Sequence, residues 1–362
     1  MSGGSDRAPR PEGNGVPPRI VVDAFAQSDV GRTREHNEDS FMVAHLSEGH
    51  PIEFEGVFSR PVDKDGTVFM VADGMGGAAA GELASATAVD VVLRYLRENW
   101  SGRKDAEPAD FVRSLATATE VANHTIFQHA HEHVELRGMG TTATIAGLLG
   151  DTLYLVQVGD SRAYLVRAGL AFQLTKDQSL MQKLIEAGEI SEHEAEFNER
   201  RNIILQALGP EAQVRVDLTH QRVRRGDVLI LCSDGLTGLV KPDMIARTVR
   251  EESDLSRVCS RLIGVANDLG GPDNITVVAA RFDGEGLQPA TVRDEVGHRE
   301  FPLDGHVGPS EHFAMTTAET PVALPVVDPE RRRRGERYVR TLAGVGLLLV
   351  ALYAAWWFLS TV

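Results

Sequence analysis

Five acidic sites in this chain each sit where a predicted strand stops: Glu38 and Asp39 in NED, Asp73 in VADGMGG, Asp160 in VGDSR, Asp234 in LCSDG and Asp273 in GPDN. The apolar runs FMVA, YLVQV and LILC lead into three of them, and a predicted helix leads less directly into GGPDN. Strands of a packed sheet can deliver their ends to one edge, and the glycines beside these acids, among them Gly74, Gly159, Gly235 and Gly271, allow tight turns and close backbone approach. Carboxylates brought together there repel one another unless cations lie between them. A ligand set made only of oxygen suits Mg²⁺ or Mn²⁺ rather than Zn²⁺. Two such ions about 3.5–4 Å apart can share a water, lower its pKa and hold it for in-line attack on phosphorus. Arg34, four residues before Glu38, is placed to grip the phosphoryl oxygens with its planar fork. A single strand-end Asp is more often a turn former or helix cap; five such sites in one chain weigh against that reading.

The elements that must position these groups follow from hydrophobic period. Strands are predicted at Val21–Phe25, Ser40–Ala44, Val68–Ala72, Thr142–Leu149, Thr152–Val158, Ala163–Arg167, Val214–Val223, Val228–Cys232 and Ile275–Phe282. His45–Asp65 reads as an extended loop or hairpin insertion. Long helices are expected over Gly81–Trp100 and from Pro108, a first-turn proline, to about Glu132. Shorter ones follow at Ser179–Ala187, after the capping pair Ser191 and Glu194, and over Pro242–Glu252 and Leu255–Leu269. Helices do not alternate with single strands, so a doubly wound parallel sheet is not expected. The expected class is α+β: two mostly antiparallel sheets packed together with helices outside.

In order along the chain, S28-D29-V30-G31, R34, N37-E38-D39, D73-G74-M75-G76-G77, G140-T141-T142-A143-T144, G159-D160-S161-R162, S233-D234-G235-L236 and D273-N274 resemble the metal-dependent protein phosphatases of type 2C, in their bacterial form. The likeness covers about residues 20–283. It implies a four-layer α-β-β-α sandwich with two Mn²⁺ or Mg²⁺ ions at one end of the sheets. By motif, Asp73 would bridge both ions and the Gly74 carbonyl would bind one. Glu38 would act on one through water, while Asp234 and Asp273 would ligate the other. Asp160 would help hold a third, weaker ion, Arg34 would bind the substrate phosphate, and Asp39 would stand behind the ligands. The implied activity is hydrolysis of phosphoserine and phosphothreonine in proteins by attack of a water bridging the two metals. A partner Ser/Thr kinase is implied as well. Two positions depart from the family pattern. Met75 stands where eukaryotic relatives often carry a histidine proposed as general acid, so leaving-group protonation must come from bound water or another group. Asp177-Gln178-Ser179 replaces a common D-H-S just before the flap, about residues 178–208.

The rest of the sequence bounds where such chemistry would take place. A formal net charge of −15 argues against a nucleic-acid partner, because phosphate backbones are held by excess Lys and Arg. Residues 1–19, rich in Gly, Pro and Ser with no apolar core, read as a disordered tail rather than a signal peptide. Residues 284–335 read as a flexible linker, with Pro302, Pro309, Pro321, Pro325 and Pro329 along it, ending in an arginine run. Residues 338–360 read as a transmembrane helix: Thr341–Val362 holds no charged residue, and Tyr353, Trp356 and Trp357 lie toward its far end. Arg331–Arg334, Arg337 and Arg340 precede it, so a single-pass topology with the catalytic domain on the cytoplasmic face is expected.

Competing signals are weaker. Asp63-Lys64-Asp65-Gly66-Thr67 matches a DxDGT nucleophile motif, but that chemistry needs the first Asp at the end of a buried strand, and here the strand follows. Neither Cys232 nor Cys259 is followed by the arginine of a Cys-x5-Arg motif that a thiolate phosphatase needs; Gly238 and Val265 stand there instead. His129 and His133 share a helix face without an acidic or cysteine partner, so a solvated face is expected. The alternative from another class is a catalytically silent scaffold that holds phosphoproteins at the membrane; loss of an expected metal ligand would favour it, and none is lost.

Overall fold

A computed structural model describes residues 19–47, 56–104, 106–291 and 294–303. They belong to the unit Met1–Met315; a second unit, Thr316–Val362, lies wholly outside the described residues. The expected N-terminal tail falls almost entirely outside them, and the arginine run and the transmembrane helix over residues 338–360 fall wholly outside. Among the described residues no helix is long and apolar enough to cross a membrane.

The described residues build two six-stranded sheets. In the first, β1 (Val21–Asp29) lies between β3 (Gly56–Pro61) and β12 (Ile275–Asp283), and the order continues through β11 (Val228–Cys232), β8 (Arg162–Arg167) and β9 (Leu170–Gln173). The second runs β10 (Asp217–Arg222), β7 (Thr152–Val158), β6 (Ala143–Leu149), β4 (Thr67–Met75) and β2 (Asp39–His45), with the short β5 (Gly140–Thr141) paired to the end of β4. Every pair in both ladders is antiparallel. The expected α+β class with two antiparallel sheets and outer helices is what the structure has.

The run Val68–Ala72 shows why the layers form. It is apolar without interruption, so its period of two sends both faces into apolar surroundings. Phe69 and Val71 join the core between the sheets. Val68, Met70 and Ala72 point the other way, against α1 (Ala78–Asn99) and α2 (Pro108–Glu132). Across the sandwich β11 divides likewise: Leu229 and Leu231 face the other sheet. Val228, Ile230 and Cys232 pack under α6 (Pro242–Glu251) and α7 (Leu255–Asp268). Along the chain between α2 and α6 come α3 (Leu180–Glu186), α4 (Glu192–Glu196) and the four-residue α5 (Asp234–Thr237).

Three expectations change. The stretch 45–65 is not only a loop: Gly56–Pro61 pairs with Val21–Ala26 as an edge strand. The strand expected over 214–223 is confined to Asp217–Arg222. The expected linker does not begin at 284. Residues 284–303, where described, form a strap against the domain. Leu287 is buried in the core between the sheets, and Arg224 pairs with Asp294 at 2.5 Å. Phe301 donates its backbone N–H to Leu218, and the His220 N–H reaches the Arg299 carbonyl, so the strap covers the open edge of β10. The Phe301 ring stands edge-on to Tyr154 and His220 at centroid distances of 5.5 and 5.6 Å. Its apolar anchors follow neither a helical nor a strand period, because they meet a surface already built by other elements. A period search therefore passes over them.

Candidate metal centre

Antiparallel pairing brings the start of β2 and the end of β4 to one edge: Asp39 and Asp73 are direct partners. The same edge receives the end of β7, followed by Gly159 and Asp160, because Val158 pairs with Ala143 at the start of β6. In the other sheet, Cys232 at the end of β11 pairs with Val277 near the start of β12, so Asp234 and Asp273 emerge together. Hydrogen bonds then close the two sheets at this end. Ser233 Oγ and Thr276 Oγ1 both donate to Asp39 Oδ2, at 2.8 and 2.6 Å. The Glu38 N–H donates to Asn274 Oδ1 at 2.8 Å, and the Asn274 amide donates to the carbonyls of Val30 and His36. Asn274 thus pins to β12 the loop that carries Arg34 and Glu38.

Asp73 is held by its backbone. Its N–H donates to Thr142 Oγ1 at 2.9 Å, its carbonyl accepts from the Thr141 hydroxyl and the Thr142 N–H, and Thr142 Oγ1 lies 2.8 Å from Ser161 Oγ. The threonines of G-T-T-A-T therefore aim the carboxylate, leaving it clear of the strand hydrogen bonds.

The site is electrostatically unfinished without cations. Burial pushes the Asp73 carboxyl well above the usual range, and Asp39, Asp234, Asp160 and Asp273 push it further. Burial raises Asp234 too, with Asp273 adding to it, although the Asp73 carboxyl lies within hydrogen-bond reach. Asp39 is pushed up to about 7, first by burial and against the two hydroxyl bonds it accepts. Asp160 is pushed up to about 8 by burial and then by Asp234 and Asp177. Glu38 is raised by burial and eased by Arg34. Asp39 Oδ1 and Asp160 Oδ1 are buried with no hydrogen-bond partner. Buried, unsatisfied carboxylate oxygens are what a divalent cation would satisfy, so the donor set fits hard, oxygen-seeking ions. Among the described residues no three His, Cys, Asp or Glu side chains are closed around one point; bound ions would complete their shells with water and backbone carbonyls, as Mg²⁺ commonly does.

Close packing leaves no side-chain room at two positions. A Cβ on Gly74 would stand 2.2 Å from the Gly81 carbonyl oxygen and 2.5 Å from that of Glu38. A Cβ on Gly81 would stand 2.1 Å from Glu38 Oε2. Strand end and helix start thus meet backbone to backbone, with the end of the Glu38 side chain lying against Gly81.

Every residue singled out by sequence lies at this end of the sandwich: Arg34, Glu38, Asp39, Asp73, Gly74, Asp160, Asp234 and Asp273. Arg34 holds Asp273 at 2.8 Å with half its side chain exposed. Asp177 is gripped by Arg162 through Nε and Nη2, at 2.8 and 2.6 Å. The residues that sequence reasoning did not single out are the hydroxyls behind Asp39 and the threonines behind Asp73; Ser233, Thr141 and Thr142 lay inside the quoted motifs without chemistry of their own to draw attention, and Thr276 lay two residues beyond D273-N274. Asp63 lies at the far end of β4 from Asp73, where Oδ1 accepts the N–H groups of Asp65 and Gly66 in a turn. Burial raises the Cys232 thiol to about 12, which removes it as a nucleophile.

The family described as protein phosphatase 2C matches residues 45–269. The chain belongs to that family. The serine/threonine phosphatase stp of Listeria monocytogenes is 36% identical over 258 residues, 71% of this chain and 94% of the relative. The crystal structure of the Mycobacterium tuberculosis serine/threonine phosphatase PstP/Ppp superposes with a TM-score of 0.60 at 34% identity, covering 73% of this chain and 99% of that one. A structure of the PstP catalytic domain in complex with two manganese ions gives a TM-score of 0.59 at 33% identity, with the same coverage of both chains. The expected enzyme class, protein serine/threonine phosphatase, is the one these relatives are named for. The strap lies beyond the residues that the phosphatase 2C family matches.

Proposed function

We propose that this phosphatase hydrolyses phosphoserine and phosphothreonine in proteins with two Mn²⁺ or Mg²⁺ ions held by Asp73, the Gly74 carbonyl, Asp234 and Asp273. Glu38 acts at the rim, and Asp160 serves a third, weaker ion. The observation that carries the reading is the convergence of strand ends from opposite sheets, which Ser233, beside Asp234, and Thr276 close onto Asp39, the ladder partner of Asp73. Bound there, the ions would lower the pKa of a water and neutralise charge developing on the phosphoryl oxygens. Arg34, half exposed at the mouth, binds and orients the phosphate by a charge-assisted fork. Asp39 holds the two sheets in register behind the ligands through Ser233 and Thr276. Met75, with no titratable proton, takes no part in protonating the leaving hydroxyl. The silent scaffold is not favoured, since each expected donor stands at the site.

The test is hydrolysis of a phosphothreonine peptide with Mn²⁺. Activity that EDTA abolishes and Asp73→Asn lowers by orders of magnitude supports the reading; undiminished turnover in Asp73→Asn sinks it.

The same reading places the domain on a tether at the cytoplasmic membrane face, with a Ser/Thr kinase as its counterpart. The uncharged stretch Thr341–Val362 behind an arginine run supports this. Carbonate-resistant recovery of the full chain with membranes, lost when 338–362 are deleted, is the expected result. Recovery of the full chain in the soluble fraction removes the tether and leaves the chemistry standing.

A further inference from the structure

Asp73 stands at the end of β4 and Asp160 on the loop after β7, with β6 between the two strands. Thr142, the residue before β6, touches both places. Its Oγ1 accepts the Asp73 N–H at 2.9 Å, and its own N–H donates to the Asp73 carbonyl at 2.9 Å. The same Oγ1 lies 2.8 Å from Ser161 Oγ, where either hydroxyl can donate. Its methyl fills the space over Gly159: a Cβ on that glycine would stand 2.6 Å from Thr142 Cγ2. Both chain neighbours of Asp160 therefore rest on the one side chain that also holds Asp73. Thr142 and Ser161 are wholly buried, so water does not compete for these contacts. Gln157 Nε2 donates to the carbonyls of Gly159 and Ser161, at 3.1 and 2.7 Å, and ties the loop backbone to β7. The Asp160 carboxyl lacks such support: Oδ1 is buried with no hydrogen-bond partner. Its aim is set by the backbone on either side of it.

We infer that Thr142 is a positioning residue for two carboxylates at once, Asp73 of the ion pair and Asp160 of the weaker ion, with Ser161 carrying its hold to Asp160; this rests on the metal reading above. Groups that hydrogen-bond behind a metal ligand are worth about 10–100-fold in metal affinity, because they fix the ligand's orientation before the ion arrives. For Asp73, Thr142 does this directly, through both backbone polar groups at the strand end. For Asp160 it acts one residue away, through a hydroxyl on one side and a methyl on the other. Threonine is the residue that supplies both contacts. Valine has the methyl without the acceptor, and serine has the acceptor without the methyl.

The test is a calorimetric Mn²⁺ titration of the full chain that resolves the strong sites from the weaker one. Ser161→Ala keeps every expected metal donor and leaves Thr142 on the Asp73 N–H. It is expected to weaken the last-filled site about tenfold, the lower end of what such a group is worth, and to leave the strong sites as they are. Thr142→Val removes the hydroxyl from both carboxylates and should weaken all sites. Thr142→Ser, which restores it, should recover the strong ones. Lost packing alone would lower the melting temperature in EDTA without splitting the sites, so melts of each variant read the structural part separately. Should Thr142→Val fail to fold, Ser161→Ala carries the test alone. An unchanged weak site in Ser161→Ala, or strong and weak sites that fall together, overturns the positioning role and leaves the metal reading intact. A wild type that takes up only two ions removes the Asp160 site and this role with it, again sparing the two-metal reading. No saturable Mn²⁺ binding by the wild type sinks both.

Discussion

Asp39 and Asp73 face each other across the β2–β4 ladder, two carboxyls where a sheet ordinarily avoids a like-charged pair. Asp39 Oδ2 is held from the opposite sheet by Ser233 and Thr276, while its Oδ1 has no hydrogen-bond partner. Asp39→Asn keeps an oxygen for those hydroxyls and removes one charge from the cluster. The metal-free variant is expected to melt above the metal-free wild type, while its Mn²⁺ affinity falls. Paired thermal melts in EDTA and calorimetric Mn²⁺ titrations read both signs; a lower metal-free melting temperature would show that the hydroxyl bonds require the charge.

The pH dependence follows from the direction of the shifts. Asp39 and Asp160 are carboxyls raised in the folded state to about 7 and about 8. The metal-free fold binds these protons more tightly than the unfolded chain does. Its stability is therefore fullest below the ordinary carboxyl pKa and is lost as pH rises toward 8. Metal binding must displace the protons, so Mn²⁺ affinity should climb over the same window. Melting temperature in EDTA falling from pH 5 to 8, and the Mn²⁺-induced rise growing, are the expected pair of trends.

Gly81→Ala separates site geometry from stability. Alanine favours a helix by roughly 0.5–1 kcal/mol over glycine, yet its Cβ would stand 2.1 Å from Glu38 Oε2. The movable partner is the end of the Glu38 side chain, so Glu38 gives way. Melting is expected to shift little while kcat/KM falls. The contrast is Gly74→Ala, whose Cβ meets backbone oxygens at 2.2 and 2.5 Å and should lower both.

Phe301→Ala tests whether the strap belongs to the domain. The ring lies between Tyr154 and His220 and is half-buried, so its loss should cost about 1–2 kcal/mol, below the roughly 3–5 kcal/mol of a fully buried phenylalanine. Chemical denaturation of the full chain measures it; no change would return the strap to the linker.

The motif aspartates were legible because each combines a chemically loud residue with a glycine or a strand end, and both signals are local. The layered fold was legible for the same reason: Val68–Ala72 is apolar on both faces, which only an internal strand tolerates. The silent partners were not legible. Ser233, Thr276 and Thr142 are ordinary hydroxyl residues until tertiary packing sets them against Asp39 and Asp73. Asn274 becomes a clamp only when the 30–38 loop lies over it.

By itself, then, the sequence determined which side chains could hold cations, which strands carry them and the uncharged C-terminal stretch. Tertiary structure alone decided that Asp73 and Asp234 come from opposite sheets to one end, that Arg34 rests on Asp273, and that residues 299–301 finish the edge of β10. The physical reason is range. Period, turn chemistry and charge act over a few residues. Convergence across two sheets and the docking of an aperiodic strap depend on surfaces that exist only after the layers have packed.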